Sequence, residues 1–347
     1  MSDARLLDGF ALEAAKVKAI ADSFDQDMRN LEKKLRDNRQ RSREIQQQIK
    51  ERQSKLCQDL LPGKVSIGWA AERVGVWVFQ NLSRSEEARN CYIEQAASRT
   101  LELPKDLHLD PWPPAWLHAD WLALAADFEL LTPWYSKDDR PFHVLDNPVR
   151  KDRVFGVPFM SAASWKGLLR WACRMHAGLH AHLRDYGGSL EGWKDPVWIL
   201  HLFGNEKTED KGFHQGALAF RPTWFSKIGF EVINPHKRKT RAGKQPIFYE
   251  VVPAGTSGQL QFLYAPLPGA ADRDKVKPSK ALGKLVDATQ TLLTTYGISA
   301  KRTAGWGTAK IKTWKAWRHD TPCGEPLVGN SRGELLAKLS PARGAGP

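Results

Sequence analysis

The side chains best suited to chemistry gather in one run of this 347-residue chain, HVLDNPVRKDRVFGVPFMSAASWKGLLR, residues 143–170. Asp146 stands before Asn147-Pro148, a pairing that initiates turns, which puts its carboxylate on a loop. A loop carboxylate can hold a divalent metal beside a phosphate, or take a proton from an attacking hydroxyl. The plainer alternative is that Asp146 only caps its own turn. Arg150, Lys151 and Arg153 follow and can hold an anionic backbone. After Gly156-Val157-Pro158-Phe159 comes a helix start, where Ser161 or Ser164 can cap free amides and Lys166 and Arg170 lie four apart on one face. A helix N-terminus with a nearby lysine is a ready phosphate site, whereas the bland reading is a solvated amphipathic face.

Two further basic clusters stand out. Lys237, Arg238, Lys239, Arg241 and Lys244 surround a glycine turn between apolar stems. Five like charges at a hairpin tip repel, so they meet either phosphate or abundant solvent. Lys301 and Arg302 precede Gly305-Trp306-Gly307, where glycine lets backbone approach a nucleic-acid strand while the cations hold phosphates. His176 and His180 share a helix face and His182 is near, but no third ligand falls at a matching offset, so they read as ordinary histidines. No G-x-S-x-G, Walker loop or paired catalytic Cys/His is present. The formal net charge of +13 points to a polyanion, nucleic acid first. No apolar stretch is long enough to cross a membrane and no signal peptide is seen. Cys57, Cys91, Cys173 and Cys323 form no C-x-x-C pair, which speaks for a reducing compartment and against structural zinc.

The elements that must carry these residues follow from periodicity. Apolar residues recur every seven, Phe10, Val17, Phe24, Leu31 and Ile45 in one series and Ala14, Ala21, Met28, Leu35, Ile49 and Leu56 in the other. That seam predicts one long coiled-coil helix over residues 1–61, interrupted by polar Asn38 and Ser42 and stopped at Pro62-Gly63. The alternative is a helix packed back on its own domain. Residues 62–118 form an irregular connecting region, with possible strands in 65–79, a helix at 85–98 and a proline-rich stretch at 107–116. Strands are expected at 121–131, 216–221, 259–265 and 307–314, and helices at 163–182 and 279–295, giving the order β-α-β-β-α-β of a ferredoxin-like domain within 119–318. Residues 319–347 read as a C-terminal tail.

The succession DNPVRKD, GVPF and SAASWKGLLR resembles the signature of the RAMP superfamily of CRISPR-associated proteins. In its type III backbone subunits an Asp-x-Pro turn precedes a Gly-x-Pro segment and a Gly-Ser-Ser-aliphatic-Lys-Gly-x-x-Arg helix start. Here Ser161-Ala162-Ala163-Ser164 stands where that family has Pro-Gly-Ser-Ser. Residues 230–255 resemble the family's thumb-like hairpin insertion, and YGISAKRTAGWGTAKI, residues 296–311, resembles its glycine-rich loop. The resemblance implies an α+β, RNA-recognition-type ferredoxin-like RAMP domain with a hairpin insertion; the long N-terminal coiled-coil helix before it rests on the heptad seam alone.

The resemblance also implies partners, guide RNA, target RNA and other type III effector subunits, in a cytoplasmic setting; the heptad seam separately points to a coiled-coil partner or self-association through residues 1–61, and the lack of a long apolar stretch to no membrane. The RNA-binding set so implied is Arg150, Lys151, Ser164, Lys166, Arg170, Lys237, Arg238, Lys239, Arg241, Lys301, Arg302, Gly305 and Gly307. Asp146 matches the aspartate that cuts target RNA with a divalent metal, Mg or Mn; without that activity no cofactor is expected. Three readings remain: an effector subunit that binds guide and target and cuts with Asp146, a non-catalytic cap or scaffold, and a guide-precursor endoribonuclease with a histidine such as His143 as base.

Overall fold

A computed structural model describes residues 9–38, 41–60, 85–105, 112–139, 143–205, 214–235, 246–321 and 325–339. In chain order the helices are α1 (Gly9–Asp37), α2 (Ser42–Leu60), α3 (Ser85–Ala97), α4 (Ala162–His176), α5 (Leu179–Asp185), α6 (Val197–Phe203), α7 (Ala270–Arg273), α8 (Pro278–Thr291) and α9 (Arg332–Leu339). The strands are β1 (Leu122–Leu130), β2 (Phe159–Met160), β3 (Leu218–Phe220), β4 (Thr223–Trp224), β5 (Gly229–Ile233), β6 (Ile247–Val251), β7 (Ser257–Tyr264), β8 (Ala309–Trp317) and β9 (Leu327–Gly329). They fall into two compact units. One takes residues 1–101, 137–157 and 227–251; the other takes 102–136, 158–226 and 252–347. This division differs from the expected 119–318 domain, because the Asp146 run and the hairpin stems group with the first hundred residues.

The second unit is built on an antiparallel sheet of order β3-β7-β1-β8-β9. Central β1 alternates, as a strand with two different faces must. Leu124, Ala126, Phe128 and Leu130 are buried with Leu260, Phe262 and Trp314, and the Trp165 ring of α4 meets Phe128 at 6.2 Å. On the other face Ala123, Ala125 and Trp317 pack with Trp112, Leu117 and Leu263, then give way to Asp127 and Glu129. Asp127 accepts from Gln259, Thr313 and Lys315, and Glu129 pairs with Lys312, so this end of the face is polar and neutralised. The helix expected over 163–182 ends at His176, where the Ala177 N–H closes the last turn on Cys173 and Arg174, and the shorter α5 follows. The segment read as a tail is partly ordered structure: β9 extends the sheet beside β8, and Leu335 of α9 is fully buried.

In the first unit the single long helix is corrected to two. The seam breaks where Asn38 interrupts it, and α2 restarts at Ser42. The chain folds back so that Phe24, Met28 and Leu56 bury one another, with Ile20, Leu31 and Ile49 around them. Arg52 of α2 reaches Asp27 of α1 at 2.6 Å and lies over the Phe24 ring at 5.5 Å. A lone helix would leave this apolar seam to a partner; the hairpin covers it from within. Helix α3 packs on the β5–β6 hairpin, with Arg89 over Phe248 at 5.3 Å and Tyr92 against Phe230 at 6.1 Å. Cys91 is disulfide-bonded, so spacing in sequence did not exclude a bond for it. Among the described residues no helix is long and apolar enough to cross a membrane, and the stretch 65–79 lies outside them.

Candidate nucleic-acid interface

In the first unit, the run from His143 to Val149 is hydrogen-bonded to strand β6 just after Asp146. The Glu250 N–H donates to the Asn147 carbonyl at 3.0 Å, and the Asn147 side-chain amide donates to the Phe248 carbonyl at 3.2 Å. The Val149 N–H donates to the Glu250 carboxylate at 3.0 Å. Upstream, the Leu145 N–H donates to His143 Nδ1 at 3.1 Å. Within 143–149 Asp146 is the one exposed residue. It has no hydrogen-bond or ion-pair partner among the described residues, so the turn is secured by its neighbours and the Asp146 carboxylate is left for other work.

Lys151 is corrected as an RNA contact. Its ammonium is fully buried, 2.6 and 2.5 Å from the two Glu250 oxygens and 3.1 Å from the Tyr92 hydroxyl. A charge so enclosed is spent on its partner and reaches no phosphate. Burial works to raise the Glu250 carboxyl, but the Lys151 and His143 charges and the hydrogen bonds from Lys151 and Tyr92 outweigh it and hold it below the usual glutamate range. His143 Nε2 lies 3.8 Å from Glu250 and the residue is buried, which withdraws it as a base for a bound substrate. Arg150 is half-buried and Arg153 exposed.

In the second unit, Ser161 is the cap of α4: its hydroxyl accepts the Ser164 N–H at 3.2 Å, and the two hydroxyls lie 2.9 Å apart. Ser164 is therefore a first-turn helix residue and not the cap. Lys166 is exposed and unpaired among the described residues. Arg170 is engaged by Asp195 at 3.0 and 2.7 Å, a carboxylate that also holds Arg174 at 2.6 and 2.8 Å and the Trp193 ring N–H at 2.9 Å. Burial pushes the Asp195 carboxyl up, and the hydrogen bonds from Arg174, Trp193 and Arg170 more than reverse it. Asp195 thus fixes the direction of both arginines and takes up part of their charge. Sequence reading missed it because the carboxylate comes from a loop about a helix-length further along the chain.

The glycine-rich loop joins the same helix. The Arg302 guanidinium lies 4.6 Å from the centre of the Trp171 ring of α4, and Trp171 meets Tyr296 edge-on at 4.9 Å. The Lys301 N–H donates to the Ser299 hydroxyl at 3.3 Å. The two glycines differ. Gly305, at φ 78°, has open space where a Cβ would point; at Gly307, φ 85°, a Cβ would sit 2.4 Å from the Ser299 nitrogen. Gly307 therefore serves close packing of the loop on its own chain, while Gly305 leaves the outer surface bare. Gly305→Ala is expected to cost about 1 kcal/mol of backbone strain, and Gly307→Ala about 2–4 kcal/mol because strain and overlap add. Denaturant midpoints of the two variants measure this, and equal losses would contradict the distinction.

Lys237, Arg238, Lys239, Arg241 and Lys244 lie outside the described residues, though their stems, β5 and β6, pair as expected. His176 and His180 are exposed, and His182 stacks on Tyr186 at 4.3 Å. Among the described residues no group of three or more His, Cys, Asp or Glu could hold a metal ion.

The sequence model of the RAMP superfamily matches residues 127–310, which contain the Asp146 turn, α4 and all but the last residue of the glycine-rich segment. The chain belongs to the RAMP superfamily. Among solved structures it is similar to a chain of the type III-B Cmr-beta complex bound to cognate target RNA, at 13% identity and a TM-score of 0.36 over 57% of this chain and 61% of that one. A chain of a CRISPR RNA-guided surveillance complex matches at 16% identity and a TM-score of 0.40, over 58% of this chain and 71% of that one. A chain of the Csm3-Csm4 subcomplex of the type III-A CRISPR-Cas interference complex matches at 17% identity and 0.37, over 65% and 97%. No curated protein matches.

Proposed function

We propose that this RAMP protein is a subunit of a type III CRISPR RNA-guided effector complex, that it binds guide RNA and the guide–target duplex, and that it cuts target RNA at Asp146. The observation that carries the reading is the Asp146 turn: Asn147 and Val149, just after this residue, are tied to one strand, Leu145 before it is tied to His143, and Asp146 alone among residues 143–149 is exposed. The sheet order β3-β7-β1-β8, with α4 and α8 in the two crossovers, supports the ferredoxin-like form of the fold.

The donor set suits a metal shared with substrate. One exposed carboxylate cannot build an all-protein site, but magnesium is commonly held by one or two carboxylates completed by substrate phosphate oxygens and water. Asp146 would be that ligand, and the bound ion would neutralise charge gathering on the scissile phosphate. The RNA 2′-oxygen attacks the adjacent phosphorus as the bond to the 5′-oxygen breaks, leaving a 2′,3′-cyclic phosphate and a 5′-hydroxyl. Asp146 would orient the 2′-hydroxyl or take its proton. Lys166, at the start of α4, would hold backbone phosphate beside the helix N-terminus. The test is to assemble the complex, add matched target RNA with Mg or Mn, and read product end groups; intact target despite stable binding would leave the scaffold reading in its place.

Lys166→Glu is expected to lower the guide RNA retained by the purified complex and to reduce the slope of log affinity against log salt by about 1, the signature of one lost phosphate contact. Unchanged RNA retention and an unchanged slope would remove Lys166 from the interface.

A further inference from the structure

Beneath the Asp146 turn lies a charge pair with nothing obvious to gain from burial. Glu250 and Lys151 are both at 0% side-chain exposure. Pairs of this kind contribute little net stability, because desolvation offsets their attraction, and apolar residues of similar volume often serve as well. What apolar residues cannot supply is an acceptor for a backbone N–H. Glu250 supplies one to Val149, three residues after Asp146, while its own N–H holds the Asn147 carbonyl. Lys151 and Tyr92 grip the carboxylate on its remaining sides, which fixes where that acceptor points. On its other edge the turn is bound by the Asp138 N–H to the Pro148 carbonyl at 3.1 Å and by the bridge between Lys137 and Val149.

We propose that Glu250 and Lys151 are positioning residues for Asp146: the buried pair sets the turn so that the carboxylate stands in one place when RNA arrives. This rests on the reading of Asp146 as the cutting residue and deepens it. Glu250 also lies near the end of β6, so the β5–β6 stem and the Asp146 turn share one anchor.

Two variants separate positioning from simple support. Tyr92→Phe, Lys151→Met and Glu250→Leu together leave an apolar filling with no acceptor for Val149. Lys151→Met with Glu250→Gln removes the charges but keeps an amide oxygen in reach of that N–H. Each is made in the full chain and read twice: hydrogen exchange of the amides of residues 145–149, and single-turnover cleavage with target affinity in the assembled complex. The triple variant is expected to exchange those amides on the order of tenfold faster and to cleave on the order of a hundredfold more slowly at unchanged target affinity. The glutamine variant is expected to restore both. Should the triple variant not fold, Lys151→Met with Glu250→Leu, which retains the Tyr92 hydroxyl, carries the same readouts. Unchanged exchange, or faster exchange with undiminished cleavage, overturns the proposal. If wild-type complex does not cleave, the reading of Asp146 fails and the positioning role falls with it, while the exchange data still report whether Glu250 ties the turn.

Discussion

Glu250→Ala is expected to destabilise the first unit by about 3–5 kcal/mol, the usual effect of removing one partner from a buried charge pair. The loss is large because three groups are stranded at once: the Lys151 ammonium, the Tyr92 hydroxyl and the Val149 N–H. Deleting a surface partner such as Glu334, which pairs with Lys338 in the open, is expected to cost far less, because water screens the pair. The same pair gives a pH dependence. The folded-state pKa of Glu250 is held below its unfolded value, since the attraction of Lys151 and His143 outweighs the burial that would raise it. Its contribution is therefore fully present above the unfolded value of 4.5 and is lost as pH falls through the depressed folded value. Denaturant melts of wild type and variant from neutral to acid pH measure both effects; a Glu250→Ala midpoint within error of wild type would show that the pair stabilises nothing.

Much of the fold was legible because its signals are local. Alternation marked β1, and the glycine turn flanked by apolar stems marked the β5–β6 hairpin. Heptad spacing identified the apolar seam of the first sixty residues but not what covers it. A seam read along one helix looks the same whether its partner is another chain or its own second half, and only the polar Asn38 and Ser42 marked the break. The division into units was not legible either, since it depends on pairings between segments far apart in sequence.

The site was readable to the extent that it lies on consecutive residues. Asp146, Ser161 and Lys166 came from one run, and the structure leaves Asp146 and Lys166 exposed. Lys151 was misread because its partner, Glu250, is 99 residues away, and nothing in RKD says which cation turns inward. The signal that could have shown it is a glutamate inside the apolar strand IFYEV, since a carboxylate there must find a cation. Asp195 is the counterpart for Arg170.

Asp146→Ala is expected to lower metal-dependent cleavage of target RNA by at least about a hundredfold, the scale on which general acid–base groups contribute. The turn should survive the change, because Asn147, Val149 and Leu145 are held by bonds that Asp146 does not make. Guide retention and target affinity should therefore stay at wild-type level, which separates a cutting residue from a structural one. The decisive measurement assembles the effector complex with wild-type or Asp146→Ala subunit, adds labelled target RNA with magnesium, and records bound fraction and cleavage products in the same tubes. Equal binding, with the products ending in cyclic phosphate lost in the variant, is the expected result. Equal binding with an unchanged product ladder would contradict it and leave the chain as a binding subunit.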